Sequence, residues 1–197
     1  MTSYNQKKKN VCVVTGSRAD FGILLNLLKK LNEHKKIRLS LIVTGTHLMK
    51  DYGMTKFEIN ENKLKIFKKI FISEKNEKPI DICNVSTILL KKISKTFSIL
   101  KPDLFIAIGD RYEIFISTYV ATLFKVPIIH IGGGELTEGS YDNHFRHCIS
   151  KMSTLHFVSH ATHRKRLINM GENPNSVFNV GSLAIDNLRK MKLSQTE

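Results

Sequence analysis

Tryptophan is absent from the 197-residue chain, and proline and cysteine occur only four and three times. No apolar run approaches the length of a membrane-spanning helix, because the longest, residues 104–108, has only the length of a strand. The lysines at positions 7–9 precede an apolar stretch that is too short for a signal peptide. The sequence therefore predicts a cytoplasmic protein that has no membrane as a partner.

The few cysteines and the clustered histidines give little support to metal binding. The cysteines have no paired or metal-type spacing, and Cys12 and Cys148 occupy apolar positions typical of small buried side chains. Six of the eight histidines lie between positions 130 and 163, where two pairs have i,i+3 spacing. No third ligand follows at a fixed spacing, so neither a disulfide, a metal nor another cofactor is predicted.

Basic residues exceed acidic ones, with 31 Lys and Arg against 17 Asp and Glu and a formal net charge of +14. Such an excess raises the hypothesis of nucleic-acid binding. However, the lysines are scattered over all the predicted helices, and neither an arginine-rich stripe nor an aromatic stacking motif accompanies them. The charge is better explained by a solvated surface and an anionic nucleotide ligand than by nucleic acid as a partner.

Strand-like and helix-like segments alternate along the whole chain, which predicts an α/β fold with a Rossmann-like, doubly wound parallel sheet. Strands are expected at residues 11–14, 39–43, 64–72, 104–108, 126–131, 155–158 and 177–180. We expect a disordered basic terminus at residues 1–9, one lobe at 10–184 and a connecting segment at 185–197. In a doubly wound order the strands after positions 10 and 103 are neighbours, so the loops that follow them share one ligand-binding mouth.

The first of these loops, residues 16–22, leads from a strand into a helix. Its backbone N–H groups, beginning at Gly16, can face a phosphate, and Arg18 adds a planar cation suited to a diphosphate. The pattern differs from the G-x-G-x-x-G of dinucleotide folds, which argues against NAD. The alternative is that Ser17 and Asp20 merely cap the helix.

Carboxylates follow the next two strands. Asp110 ends the most apolar strand, next to Arg111, although it could also be a helix N-cap. Three consecutive glycines at 132–134 let the backbone approach a ligand, and Glu135, Glu138 and Asp142 come after them. Paired carboxylates in a cleft can divide acid and base roles. The alternative for residues 132–134 is a solvated glycine loop that contacts no ligand. A polar cluster of Arg146 and His147 is also expected beside the ligand.

Taken together, these segments resemble the hydrolysing UDP-N-acetylglucosamine 2-epimerase family over about residues 11–190. The resemblance rests on residues 13–22 (VVTGSRADFG), 42–48 (IVTGTHL), 109–113 (GDRYE), 133–139 (GGELTEG), 146–147 (RH), 151–153 (KMS), 171–174 (GENP) and 180–182 (VGS). It implies a glycosyltransferase-B-like fold of two Rossmann-like lobes with the active site between them, of which this chain would be the amino-terminal one.

The implied reaction converts UDP-N-acetylglucosamine and water to N-acetylmannosamine and UDP, in sialic- or legionaminic-acid-type sugar synthesis. A base removes the C2 proton as UDP leaves C1, and water adds to the resulting glycal. The residues implied as catalytic are Asp110, Glu135 and Asp142. The residues implied in substrate binding are Gly16, Arg18, Asp20, His47, Arg111, Gly133, Gly134, Arg146, His147, Gly181 and Ser182.

Two departures from the family pattern affect these expectations. Some members have a glutamate at the position of Gly132, whose role Glu135 could take over, and many have two acids where this chain has Asp142 and Asn143. The family also has a second lobe, so we expect the 197 residues alone to be inactive or nearly so and the complete enzyme to be a homo-oligomer. A non-catalytic nucleotide-sugar-binding remnant and a glycosyltransferase of the same fold are the alternatives.

Overall fold

The computed structural model describes residues 7–49, 55–72 and 78–190. The strands are β1 (Lys9–Thr15), β2 (Ile37–Val43), β3 (Ile66–Lys69), β4 (Leu104–Ile108), β5 (Ile128–Ile131), β6 (Leu155–Val158) and β7 (Val177–Asn179). The helices are α1 (Arg18–Glu33), α2 (Lys56–Glu61), α3 (Pro79–Leu100), α4 (Tyr112–Leu123), α5 (Asp142–Met152), α6 (Ala161–Asn169) and α7 (Leu183–Lys190), with 3-10 helices at Gly45–Leu48 and Pro174–Ser176.

All the strands pair in parallel in the order β3-β2-β1-β4-β5-β6-β7. The predicted doubly wound sheet is therefore confirmed, and β1 and β4 are neighbours as expected. Because parallel strands end at the same edge, the loops that follow β1, β4, β5 and β6 lie along one side of the sheet. That edge carries most of the residues for which a functional role was predicted.

Burial on both faces explains why the strands are almost continuously apolar. In β1, Val11 and Val13 pack with α1, whereas Cys12 and Val14 pack with α3 and α4 on the opposite face. Both faces exclude water, so successive residues that point in opposite directions must all be apolar. A smaller cluster around Leu167 seats α6 beside β6 and β7.

Local signals place the helix ends that border the site. The Ser17 side chain accepts a hydrogen bond from the Asp20 amide at 3.3 Å, so the predicted cap of α1 is confirmed. Helix α4 has Arg111 as its N-cap residue, and Asp110 therefore precedes the cap instead of forming it. The sequence also predicts that Asp142 caps the helix that follows it, but this is wrong, because α5 begins with Asp142 and Tyr141 occupies the cap position.

Other local predictions also need correction. Cys148 is exposed, because α5 turns Arg146, Ile149 and Ser150 toward the interior and leaves position 148 on its outer side. Strand β3 is shorter than the predicted 64–72, since its pairing with β2 covers only Ile66–Lys69. The predicted loop after β2 includes a 3-10 turn at Gly45–Leu48.

Parts of the predicted domain boundaries fall on residues that the structure does not describe. Residues 1–6 and 191–197 lie outside the described ranges, while β1 begins at Lys9 and α7 occupies Leu183–Lys190. Within those ranges, α3 is the longest helix with 22 residues, and neither it nor a shorter helix has the apolar length required to cross a bilayer.

Adjacent residues of α3 provide a test of the packing. Leu89 is fully buried in the core beneath the sheet, whereas its neighbour Ile88 is 42% exposed. Leu89→Ala should lower the free energy of unfolding by about 2–5 kcal/mol, because it removes buried surface and leaves a cavity. Ile88→Ala should cost less than about 1 kcal/mol in the same urea titration, since an exposed side chain loses few contacts. Equal losses would contradict this orientation of α3.

Candidate active site

A cleft of about 270 Å³ opens at the carboxyl edge of the sheet, between the ends of β4, β5 and β6 and the start of α7. Its lining includes Gly109, Gly132, Glu135, Arg146, Ser159, Gly181 and Ser182. All of these except Ser159 were singled out from the sequence, in four separate segments of the chain. The fold therefore brings residues from four loops and from helix α5 to one cavity.

The guanidinium group of Arg146 is the centre of this site. Its side chain is only 8% exposed, and it forms ion pairs with Asp110 and with Oε2 of Glu135, the latter at 3.0 Å. It also donates to the carbonyl oxygen of Gly132 and to the Thr137 hydroxyl, both at 3.0 Å. One buried cation thus holds two carboxylates from different loops, as a planar donor fork can do.

The two carboxylates remain accessible although Arg146 is buried. The Asp110 side chain is 18% exposed and that of Glu135 is 37% exposed. Asp142 lies one helical turn before Arg146 on α5, so both side chains project from the same face. The Asp142 carboxylate accepts a hydrogen bond from the Ser140 hydroxyl at 3.0 Å, whereas the carboxylates paired with Arg146 are those of Asp110 and Glu135.

Close packing explains two of the glycines that precede Glu135. A Cβ atom on Gly133 would lie 2.9 Å from Nδ1 of His130 and from the Ser150 hydroxyl oxygen. On Gly134, which has a φ of +76°, it would lie 2.5 Å from the carbonyl oxygen of His163. Gly133 and Gly134 were predicted to bring the backbone to a ligand, but the structure shows that their lack of a side chain lets this loop pack against α5 and α6.

A buried neutral histidine supports the loop from below. His130 is fully buried, and its ring nitrogens contact the Ser150 hydroxyl and the Gly109 carbonyl oxygen, each at 3.0 Å. Burial lowers the pKa of His130 to about 3, because an imidazolium ion would lose its hydration there. The ring therefore links the end of β4 to α5 without adding a charge.

A second polar cluster lies where β1 and β4 end. Glu113 is 1% exposed and binds the Arg111 guanidinium with two hydrogen bonds, of 2.9 and 3.1 Å. The Glu113 carboxylate also packs against Gly16, where an added Cβ would lie 3.4 Å from Oε1. Burial raises the pKa of Asp20, partly offset by the Ser17 hydroxyl and by Arg111. The predicted residues Gly16, Asp20 and Arg111 are thus neighbours.

Arg18 and His47 have their own partners in the structure. Arg18 is 74% exposed, and its Nε lies 2.9 Å from a carboxylate oxygen of Glu58. His47 is fully buried, with hydrogen-bond contacts to the hydroxyls of Thr15 at 3.0 Å and Thr55 at 2.7 Å. Burial lowers the pKa of His47 to about 4. Its neutral ring joins the end of β1 to the segment that follows β2, whereas the Arg18 side chain remains largely exposed.

His147 lies beside the Arg146 site on α5 and is partly buried. Burial and the nearby Arg166 and Arg146 lower its pKa. Among the residues that the structure describes, no three His, Cys, Asp or Glu side chains are arranged to hold a metal ion.

Several residues of the site were not found from the sequence. Thr137 bridges Arg146 and Asp110, Ser159 contacts Glu135, and His163 contacts Ser159. Thr137 lies within the 133–139 segment and His163 within the histidine cluster, but neither had been assigned a role in the site. Ser159 and His163 also have i,i+4 spacing after a predicted strand, which does not identify their shared partner.

Comparisons with known proteins identify the family of the chain. Residues 29–197 match the family model described as UDP-N-acetylglucosamine 2-epimerase. The chain is 42% identical to the GDP/UDP-N,N'-diacetylbacillosamine 2-epimerase (hydrolyzing) of Campylobacter jejuni, over 93% of this chain and 48% of that protein. It is 40% identical to the polysialic acid biosynthesis protein P7 of Escherichia coli, over 94% of this chain and 47% of that protein.

A solved structure shows the same fold. The UDP-GlcNAc 2-epimerase of Neisseria meningitidis, in a crystal structure bound to UDP-GlcNAc, superimposes with a TM-score of 0.81 at 21% identity. The superposition covers 91% of this chain and 48% of that one. The chain thus spans about half the length of the curated relatives and structures that it matches.

Two glycines with similar backbone angles test the packing of the loop that carries Glu135. Gly134 and Gly139 have φ values of +76° and +74°, but an added Cβ meets no atom within 4 Å at Gly139. In both alanine variants the free energy of unfolding should fall by about 1–2 kcal/mol, because a residue with a side chain is strained in the left-handed backbone conformation. Gly134→Ala should lose at least about 1 kcal/mol more, because overpacking displaces His163. Thermal unfolding of both variants would show equal losses if the loop and α6 did not pack closely.

The buried neutral state of His130 predicts a pH dependence of stability. Its folded pKa is about 3 and its ordinary value 6.5, so the unfolded chain binds the extra proton first as the pH falls. The part of the unfolding free energy that comes from the lowered pKa of His130 is fully present above pH 6.5. It decreases as the pH falls toward 3, and the loss at pH 5 is about 2 kcal/mol. His130→Asn should therefore lose less stability between pH 7 and pH 5 than the wild type.

The measurement is urea unfolding at both pH values. His47 and His156 also have lowered pKa values and titrate in the same direction, so part of the pH dependence should remain in the variant. The exposed His34 provides the control variant, His34→Asn, which replaces a histidine outside the buried network. An unchanged difference in His130→Asn would contradict a lowered pKa of His130 in the folded protein.

Proposed function

Because the chain belongs to the UDP-N-acetylglucosamine 2-epimerase family, we propose that it forms the amino-terminal lobe of a hydrolysing nucleotide-sugar 2-epimerase. The observation that carries the proposal is the pair of carboxylates, Asp110 and Glu135, held by the buried guanidinium of Arg146 at the mouth of the cleft. Two accessible carboxylates at one cavity are suited to removing one proton and delivering another.

The proposed reaction converts a UDP-linked 2-acetamido sugar and water to the free 2-epimer and UDP. A carboxylate removes the proton at C2 while UDP leaves C1, which gives a glycal. Water then adds to C1 as a proton returns to C2 from the opposite face. We assign proton transfer to Asp110, Glu135 and Asp142, which come after β4, after β5 and at the start of α5. Of these, Glu135 lines the cleft.

The diphosphate is assigned to the β1 side of the same edge. Arg18 is exposed there, and the two hydrogen bonds that the Arg111 guanidinium donates to Glu113 hold it beside the Gly16 loop. Both are planar cations of the kind that binds diphosphates in pairs of hydrogen bonds. Gly181 and Ser182 line the cleft and complete the proposed sugar pocket. Asp20 and His47 support these loops from inside.

The choice of sugar is proposed from the relatives. One relative is named for GDP- or UDP-linked N,N'-diacetylbacillosamine and a second for UDP-N,N'-diacetylbacillosamine, while a third is named for UDP-N-acetylglucosamine. All are 2-acetamido sugars, so the C2 chemistry is shared and the substituents at the other carbons differ. We propose that the substrate is a UDP-linked sugar of this class.

A second lobe of similar size is proposed to complete the enzyme. The chain spans 48% of its Campylobacter jejuni relative, and its cleft is open to solvent on one side. Electrostatic stabilisation of a transition state is strongest where water is excluded. We therefore expect the 197 residues alone to turn over slowly or not at all, and we propose a homo-oligomer for the two-lobed protein.

The test is turnover in deuterated water followed by proton NMR. The chain is assayed alone and fused at its carboxyl end to the second half of the Campylobacter jejuni relative, with UDP-N-acetylglucosamine and UDP-N,N'-diacetylbacillosamine as substrates. We expect the fusion to release the free 2-epimer with deuterium at C2. Asp110→Asn should lower kcat by about 100-fold or more, because the proton-transfer group is lost.

Asp103 provides a matched control, since it precedes β4 at the opposite edge of the sheet and pairs with Lys9. Asp103→Asn should retain the wild-type kcat. A glycosidic product in place of a free sugar would contradict the proposal and favour a glycosyltransferase. Binding of UDP without turnover of either substrate would favour a non-catalytic domain.

A further inference from the structure

The carboxylate of Glu135 has a different partner on each oxygen. Oε2 is paired with Arg146 at 3.0 Å, and Oε1 accepts a hydrogen bond from the Ser159 hydroxyl at 2.9 Å. The oxygen of that hydroxyl lies 3.0 Å from Nδ1 of His163. A continuous path of hydrogen bonds therefore leads from Glu135 through Ser159 to an imidazole on α6.

The single proton of the Ser159 hydroxyl determines which group donates in each of these two hydrogen bonds. A serine hydroxyl has a single proton. Because the Ser159 hydroxyl donates to the Glu135 carboxylate, the contact to His163 requires Nδ1 to carry a proton and to donate. The neutral imidazole is then the Nδ1–H tautomer, with Nε2 as its acceptor.

The fold holds the path in place at both ends. Ser159 follows β6 and His163 lies one helical turn later, at the start of α6. Gly134 lets the Glu135 loop approach the backbone of His163, and Arg166 donates a hydrogen bond to the Gly134 carbonyl oxygen. The contact between Glu135 and Ser159 is therefore fixed by the close packing of α6 against this loop.

We propose that Ser159 and His163 are positioning residues that form a proton relay between Glu135 and solvent. The proposal rests on the proposed function, in which Glu135 exchanges a proton with the sugar. Each turnover changes the protonation of such a group, which must be restored before the next one. Oε2 is engaged by the guanidinium of Arg146, so Oε1 is the oxygen through which the proton is exchanged.

The relay step is balanced in protons. Resting His163 accepts a proton from water at Nε2 and becomes an imidazolium ion. Its Nδ1 proton passes to the Ser159 oxygen while the hydroxyl proton passes to Oε1 of Glu135. The products are a carboxylic acid and a neutral imidazole with its proton on Nε2. The reverse transfer returns a proton from Glu135 to solvent.

The charges around His163 are compatible with this role. Burial lowers its pKa, the Glu135 carboxylate raises it, and the nearby cations and imidazoles lower it further. These neighbours are Arg166, His160 and Arg146, and the net pKa lies below the ordinary histidine value. The imidazole is therefore neutral at pH 7 and can take up a proton without holding it, as a relay group must.

The first test uses the 197-residue chain and needs no turnover. Long-range proton–nitrogen correlation NMR of the 15N-labelled chain, above the pKa of His163, identifies the tautomer of each histidine, with His163→Gln for assignment. We expect neutral His163 as the Nδ1–H tautomer and a change to Nε2–H in Ser159→Ala. His160→Asn, which keeps a side-chain acceptor at the helix cap, should leave the tautomer unchanged. The Nε2–H tautomer in the wild-type chain would overturn the proposal.

The second test uses whichever form of the protein turns over in the assay for the proposed function. Ser159→Ala should lower kcat by about 10- to 100-fold with KM changed less than about twofold, because proton exchange slows while binding is kept. Ser159→Thr retains a hydroxyl and should recover most of the lost rate. His163→Gln keeps an N–H donor but cannot be protonated, so the pH dependence of kcat that is due to His163 should disappear.

The outcomes separate the relay from the proposed function. If the wild-type protein turns over and Ser159→Ala and Ser159→Thr have the same kcat, the hydroxyl of Ser159 has no part in proton exchange. The relay would then be wrong, although the proposed epimerase function would be correct. Absence of turnover in every wild-type form would contradict the proposed function and, with it, the catalytic use of the relay. The tautomer of His163 would still report the direction of the hydrogen bonds in that case.

Discussion

The burial of one guanidinium group determines the geometry of the carboxyl edge. Arg146 projects from α5 into the space between the ends of β4 and β5, where its side chain is 8% exposed. A cation in such a place needs nearby carboxylates to compensate its charge and acceptors for its terminal N–H groups. Asp110, Glu135, Thr137 and the Gly132 carbonyl oxygen provide this compensation. The positions of the two carboxylates are thus a consequence of satisfying one buried ion.

The glycine loop connects this ion pair to the rest of the fold. Its backbone lies so close to His130, Ser150 and α6 that side chains on Gly133 and Gly134 would collide with them. Below the loop, the buried neutral ring of His130 provides hydrogen bonds without charge, and the cation paired with both carboxylates is Arg146. Rigid packing and a local positive charge together create two accessible carboxylates with fixed orientations, and fixed acid and base groups are what a proton-transfer enzyme needs.

The site is divided between two parts of one sheet edge. Arg111 and Glu113 lie beside the β1 loop, whereas Glu135, Ser159 and His163 lie toward β6. This separation suits a nucleotide sugar, whose diphosphate and reacting sugar ring need different environments. It also leaves one side of the cleft open, in keeping with relatives that are about twice as long.

The sequence by itself determined the fold and most of the local candidates. Continuous apolar strands alternate with segments whose apolar residues have helical spacing, and this alternation specifies a doubly wound parallel sheet. The strand order of the sheet brings Gly16 and Asp110 to the same edge. These features follow from local patterns, because side-chain periodicity reflects which faces are buried. The short motifs around Asp110, Glu135 and Arg146 could be recognised for the same reason, since each lies within a few consecutive residues.

Only the tertiary structure decided which of these residues interact. It showed that Arg146 joins Asp110 to Glu135, that His47 is enclosed, and that Cys148 faces outward. It also revealed Ser159 and His163, which lie 24 and 28 positions after Glu135 in the chain. Contacts at such separations depend on how α5 and α6 pack against the sheet, and packing is fixed by the combined shape of many side chains. A local pattern carries no information on that shape, so the hydrogen-bonded network could be read only from the folded chain.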